Sequence, residues 1–248
     1  MRILAVGAHP DDVELFCAGT LAHYARQGAQ VTVAIATNGE LGSRTLSPAQ
    51  TAAVRKEEAR RAVGVLDAEL LWLGQPDGFL FDTPDTRRQV VEVLRRVRPD
   101  LVLAHHPDDY HPDHRAVSGL VGAARLLARE PALSTGSPAT DRVPPLFYMD
   151  TLLGTNGGTP DVWVDITDTM ATKEAMLAEH LSQNSSRKER KGADFLDLTR
   201  QQGAHRGLEV GVRYAEAFTC APSHPATSPH DLAPEGTGIH LPTLPPPR

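Results

Sequence analysis

Aromatic residues make up only 5% of this 248-residue chain. A core without them must be built from Leu, Val and Ala. Cysteine occurs twice, at Cys17 and Cys220, which excludes a disulfide-stapled scaffold. Both lie in mostly apolar neighbourhoods and read as reduced thiols of a cytoplasmic protein. No apolar run approaches the roughly 18–20 residues of a membrane helix. Met1-Arg2 leads straight into a strand-like segment, so no secretory leader and no membrane partner are expected. Positive charge is not in excess either. The net charge of −6 argues against nucleic acid as the main partner. What remains is a chain long enough to bury a real core as one α/β domain.

The apolar pattern supplies the elements. Arg2–Gly7 is a short run rich in Ile, Leu and Val, as in a buried strand. Asp12–Gly28 has helical spacing, with Val13, Phe16, Leu21 and Tyr24 on one side. Further strands are expected at Gln30–Thr37, Glu69–Leu73 and Leu101–His105. Ser47–Gln50 is a capping box opening a helix to about Leu66. Thr83-Pro84 opens another, with Arg87, Arg88, Arg95 and Arg96 facing water, and Pro112 to about Glu130 is helical again. Four strands alternating with helices predict a Rossmann-like α/β fold: a mostly parallel sheet with helices on both faces. Arg129–Val143 reads as a polar loop. Pro145–Leu153, Val162–Ile166 and Val212–Thr219 look like strands, and Thr169–Gln183 and Asp194–Gln202 look helical. One domain over 1–220 is expected, followed by a poorly ordered tail over 221–248 that holds eight prolines and no aromatic residue.

Two clusters carry chemistry. The first strand ends at His9-Pro10-Asp11-Asp12, and the fourth at His105-His106-Pro107-Asp108-Asp109-Tyr110-His111-Pro112-Asp113-His114. Parallel sheets bind ligands at the carboxyl ends of their strands, so neighbouring strands would bring the clusters together. Adjacent carboxylates repel, and Asp11-Asp12 therefore asks for a cation. His9 and Asp12 can face one ion across a turn, and His114 completes a two-histidine, one-carboxylate set. Such a set suits hydrolytic zinc with a position left for water, and also ferrous iron. Asp11 is left over as a general base. Asp113 is expected to keep His111 protonated, ready to stabilise an oxyanion. One His-Pro-Asp alone reads equally well as a helix cap; two at matching strand ends read as a metal site. Glu14 either bonds a ligand histidine or favours the helix start, and Glu216 is either supporting or structural. His23, His180 and His205 read as surface or helix histidines, and His224, His230 and His240 as solvated.

The stretches AHPDDVE and HPDH, in this order, resemble the LmbE-like/PIG-L family of metal-dependent de-N-acetylases, over about Arg2 to Thr219. NGELGSR, GQPDGF and GVRYAEAF resemble the branch of that family that removes acetate from N-acetylglucosaminyl-malate in bacillithiol synthesis. The resemblance implies zinc on His9, Asp12 and His114, with Asp11 as general base. It also implies His111 as the intermediate-stabilising histidine, Asp113 as its orienter, and Arg55 near the site. It implies a small N-acetylated sugar conjugate as partner, and the family's frequent self-association implies a homo-oligomer. A malate aglycone calls for cations, for which Arg44 and Arg55 are candidates. The extra tail and the long polar loop near Ser134–Arg142 depart from the pattern. Rival readings are a thiol-conjugate amidase, a deacetylase of chitin-type disaccharides, and a non-catalytic sugar-binding protein. A nicotinamide-dependent oxidoreductase is disfavoured, because GAHPDD lacks the three glycines that cradle a pyrophosphate.

Overall fold

The computed structural model describes residues 1–152, 159–192, 194–222, 225–232 and 238–241. Among them, one sheet contains β1 (Arg2–Gly7), β2 (Gln30–Thr37), β3 (Glu69–Gln75), β4 (Leu101–Ala104), β5 (Leu146–Met149), β6 (Val162–Asp165), β7 (Ala215–Cys220) and β8 (Ile239–His240). The order across the sheet is β3-β2-β1-β4-β5-β7-β6-β8. The first five of these run parallel, and the last three join antiparallel. The expected mostly parallel α/β sheet is therefore present.

The helices are α1 (Asp12–Phe16), α2 (Ala18–Arg26), α3 (Pro48–Gly64), α4 (Pro84–Val97), α5 (Pro112–Leu127), α6 (Met170–Ala178), α7 (Leu181–Lys191) and α8 (Phe195–Val210). They cover both faces of the sheet, which explains why β1 is apolar throughout. Ile3 and Ala5 pack with Phe16, Leu21 and Leu177 on one side. Leu4 and Val6 pack with Val90, Leu94, Val117 and Leu120 on the other.

Several elements differ from the sequence expectation. The helix expected over Asp12–Gly28 breaks at Cys17. Glu216 on β7 is the cause: its carboxylate accepts from the Gly19 and Thr20 amides at 3.0 and 2.7 Å and from the Thr20 hydroxyl at 2.6 Å, restarting the helix as α2. Glu216 is thus structural, and Lys173 donates to it at 2.5 Å. Arg95 does not face water. It is buried and donates to the carbonyls of Ala128, Glu130 and Leu133 at 3.0, 2.6 and 2.7 Å. That fan of bonds ties the polar loop to α4. The helix expected to run to Gln183 stops at Ala178, and α7 follows as a separate helix of mostly polar sequence. Parts of the segment expected to be loose pack on the sheet: Leu232 is fully buried, and β8 pairs with β6. His240 is accordingly half-buried, His230 is exposed, and His224 lies outside the described residues. No helix among the described residues is long and apolar enough to cross a membrane.

Candidate metal centre and active site

β1 and β4 are neighbours, in register from Ile3↔Leu101 to Val6↔Ala104. The chain builds the sheet outward from β1 to β2 and β3, then returns to start β4 on its other side. This reversal is where open parallel sheets form a crevice. Both clusters empty into it, one at each strand end.

The first cluster is a tight turn into α1. The Asp12 carboxylate accepts the His9 amide at 2.6 Å, and the Leu15 amide bonds the Asp11 carbonyl at 2.9 Å. Asp11 takes φ 118, a left-handed value uncommon for a residue with a side chain. Strain of this kind concentrates at functional sites.

The carboxylates around His9 and His114 fix where each ring carries its proton. His9 Nε2 lies 3.1 Å from Asp77 and 3.2 Å from Asp113. His114 Nδ1 lies 3.0 Å from Asp109. Each outer nitrogen therefore carries the hydrogen, an assignment made from partners rather than observed protons. The inner nitrogens, His9 Nδ1 and His114 Nε2, are left with lone pairs facing each other at 3.2 Å. Asp12 closes the triangle, with one oxygen 3.4 Å from each. Donors 2.0–2.2 Å from a tetrahedral zinc stand about 3.3–3.6 Å apart. Three electron-rich atoms at this spacing fit a divalent cation, and the outer carboxylates are the usual supports of metal-bound histidines.

The electrostatics agree. Burial opposes charge on His114, but Asp12 and Asp109 outweigh it and raise the pKa to about 9. His9 is likewise raised well above its ordinary value against burial, by Asp113, Asp12 and Asp77. The pocket is a well of negative potential that holds a proton or a metal.

Three overlapping groups of donors converge here: His9–His111–His114, Asp12–His105–His114 and His9–Asp77–Asp113. The expected trio of His9, Asp12 and His114 straddles the first two. Tautomers favour it over the alternatives, since Asp77 and Asp113 meet His9 through its outer nitrogen. His105 stacks on His114 with ring centres 3.8 Å apart. Its Nε2 lies 3.0 Å from the Ala8 amide and 3.1 Å from Asp12. It cannot accept from one and donate to the other, but either bond leaves that nitrogen no free lone pair for a cation.

Asp11 sits beside this trio without joining it. Burial raises its carboxyl to about 6, with Arg55 opposing and Asp12 adding to the rise. A carboxylate so placed is matched to proton transfer near neutrality. Arg55 is buried and donates to the Pro10 and Gly39 carbonyls at 2.6 and 3.0 Å, with Asp11 at 3.3 Å. Expected as a substrate contact, it instead holds the turn and the base. His180, expected near the surface, is fully buried and faces Glu14 at 3.4 Å. Glu14 therefore partners His180 rather than a ligand histidine.

His111 departs from expectation. Its Nδ1 accepts the Asp113 amide at 3.2 Å and caps α5. The Asp113 carboxylate turns the other way, to the Gly78 and Leu80 amides at 2.7 and 3.2 Å and to His9. Burial, then His9 and His114, lower the His111 pKa. His111 is a neutral ring with its hydrogen on Nε2, and its donor role needs no positive charge. Two residues apart at a helix start point to different sides, so adjacency in sequence was misleading.

Arg44 is exposed, on the wall of a cavity of about 410 Å³ bounded by Thr51, Ser182, Gln183 and Ser186. Sequence reasoning missed Asp77, Asp109, His180 and Gln183. Asp77 and Asp109 lay within stretches already singled out, beside Pro76 and Asp108, and a histidine's need for an outer carboxylate was the available signal.

The site and fold define an α/β protein with a two-histidine, one-carboxylate cation pocket and a buried base. The PIG-L family, described as GlcNAc-PI de-N-acetylase, matches residues 4–125, which carry both clusters. A conserved protein of Thermus thermophilus superposes with a TM-score of 0.76 at 32% identity, covering 88% of this chain and 94% of that one. The N,N'-diacetylchitobiose deacetylase of Pyrococcus horikoshii superposes with a TM-score of 0.78 at 27% identity, covering 89% and 84%. A 1D-myo-inositol 2-acetamido-2-deoxy-alpha-D-glucopyranoside deacetylase of Thermomonospora curvata is 32% identical over 55% of this chain, a match spanning only 56% of that relative. The 4-oxalmesaconate hydratase of Pseudomonas putida is 26% identical over 88% of this chain and 86% of that relative. The chain belongs to the PIG-L/LmbE-like family.

Proposed function

We propose that this protein is a metal-dependent hydrolase that removes acetate from an N-acetylglucosamine conjugate, N-acetylglucosaminyl-malate being the preferred substrate. The observation that carries the hydrolase reading is the trio of proton-free donors at 3.2–3.4 Å beside a base whose pKa is about 6. The deacetylase names of relatives support acetate as the leaving acyl group. His9, Asp12 and His114 would hold zinc, or ferrous iron by the same donor chemistry. When bound, the metal supplies Lewis acidity that polarises the amide and makes water acidic near neutral pH.

The chain's own residues do the rest. Asp11, ionised, takes the proton of the attacking water. Arg55 holds Asp11 in place through the Pro10 carbonyl and the carboxylate itself. The Nε2 hydrogen of His111 donates to the developing oxyanion. The proton on Asp11 then passes to the departing sugar amine, leaving acetate and a primary amine. Arg44 supplies positive charge at the cavity wall for an acidic aglycone.

The test is acetate release by zinc-loaded protein from N-acetylglucosaminyl-malate, with N-acetylglucosamine, a chitobiose and a thiol-conjugate amide alongside. Preference for the malate conjugate supports the full reading. Release only from another amide moves the substrate and keeps the chemistry. Because a hydratase is among the relatives, 4-oxalmesaconate belongs in the same assay, and turnover of that alone would refute deacetylation.

A further inference from the structure

α7 follows His180 and forms one wall of the 410 Å³ cavity. Gln183 on that wall donates to the Gly42 carbonyl at 3.4 Å. A side chain at Gly42 would meet both Gln183 and the Arg55 guanidinium, at 3.0 and 2.8 Å. Gln183 is therefore next to the group that holds the base. Arg187 stands one helical turn further along the same face.

Arg187 is half-buried, and its guanidinium lies over the Phe195 ring, 5.0 Å from the centre. Its Nε is buried with no hydrogen-bond partner. Among the described residues no carboxylate pairs with it. Other arginines withdrawn from water are satisfied: Arg206 binds Asp150 at 2.7 and 3.0 Å, and Arg95 binds loop carbonyls. A cation flattened on a ring and left without an anion is preorganised to receive one. Its position suits the site. The Tyr110 ring lies 6.0 Å from His111 and 5.9 Å from His114. Burial and the site carboxylates push the Tyr110 hydroxyl up to about 12, and Arg187 opposes that rise. Its field thus reaches the mouth of the metal centre. Glu189 lines the outer part of the cavity, so the anion is received on the inner side.

We propose that Arg187, with Phe195 fixing its plane, receives an anionic group, carboxylate or phosphate, on the aglycone of the sugar substrate. The inference rests on the sugar-conjugate reading above and adds to it the residue that selects for charge. The test is calorimetric titration of the full-length protein with L-malate and with inorganic phosphate. Wild type binds at least one of them, and Arg187→Gln weakens that binding roughly tenfold or more. Arg187→Lys keeps the charge but loses the fork, and lies between; its melting temperature guards against a folding artefact. In turnover, Arg187→Gln should lower kcat/KM for the malate conjugate through KM, at least about tenfold more than for N-acetylglucosamine. Equal binding by wild type and both variants, or no binding of either anion by wild type, overturns the proposal. Arg187-dependent malate binding without hydrolysis of the malate conjugate would sink the substrate assignment and leave the anion receptor standing. Preference for phosphate over malate would identify a phosphorylated aglycone.

Discussion

The parallel and antiparallel parts of the sheet use their buried charges differently. In the parallel part, carboxylates converge on histidines and leave lone pairs that no protein hydrogen satisfies. His9, Asp12 and His114 form a triangle waiting for a cation, and Asp11 is buried beside Asp12 at an energetic cost. In the antiparallel part every conspicuous charge is answered. Glu216 meets Lys173 and the start of α2, and Asp150 meets Arg206 from two sides. Satisfied charges hold a fold together, whereas charges left unsatisfied by the chain mark where something else binds. The family match over residues 4–125 falls on the unsatisfied part.

Substitutions separate the two parts, and the largest effect on activity is expected at the triangle. Asp12→Ala removes a donor and the partner of His9 and His105, so elemental analysis should find far less than one metal per chain and acetate release should fall to background. Asp11→Asn should keep the metal and lower kcat by about 10²–10⁴-fold, the usual contribution of a general base. Loss of metal in that variant would reassign Asp11 as a ligand. Asp109→Asn frees His114 Nδ1 from its carboxylate and should weaken metal affinity about 10–100-fold in chelator competition.

The pH profile sharpens the same contrast. The Asp11 pKa is raised to about 6 and the reaction needs its ionised form, so kcat/KM should fall as pH drops through that value. A residual Asp11→Asn activity that kept the same acid limb would remove Asp11 from the assignment. The smallest effect on chemistry is expected in the antiparallel part. Glu216→Gln leaves Lys173 buried and unpaired and should cost about 3–5 kcal/mol in denaturant unfolding. Its folded fraction should retain the metal and near-normal kcat.

The sequence made the metal centre legible because its residues sit at strand ends, where alternation of strands and helices alone brings them to one edge. Whether β1 and β4 were adjacent could only be a condition, and the register now meets it. The cut between α1 and α2 was hidden, because the carboxylate that makes it arrives from Glu216, nearly two hundred residues later. Arg95 looked like a wet arginine because helical spacing does not show a loop folding over it. α7 has too little apolar periodicity to announce itself, yet it brings Gln183 and Arg187 to the site. His111 and Asp113 looked like a pair because they are close in sequence, and helix geometry turns them apart.

The most direct test is anomalous diffraction at the zinc edge from crystals of zinc-loaded protein. One peak is predicted, about 2.0–2.2 Å from His9 Nδ1, His114 Nε2 and an oxygen of Asp12. A peak held by Asp77 and Asp113, one that replaces Asp12 by His111, or no peak at full zinc loading would contradict the account.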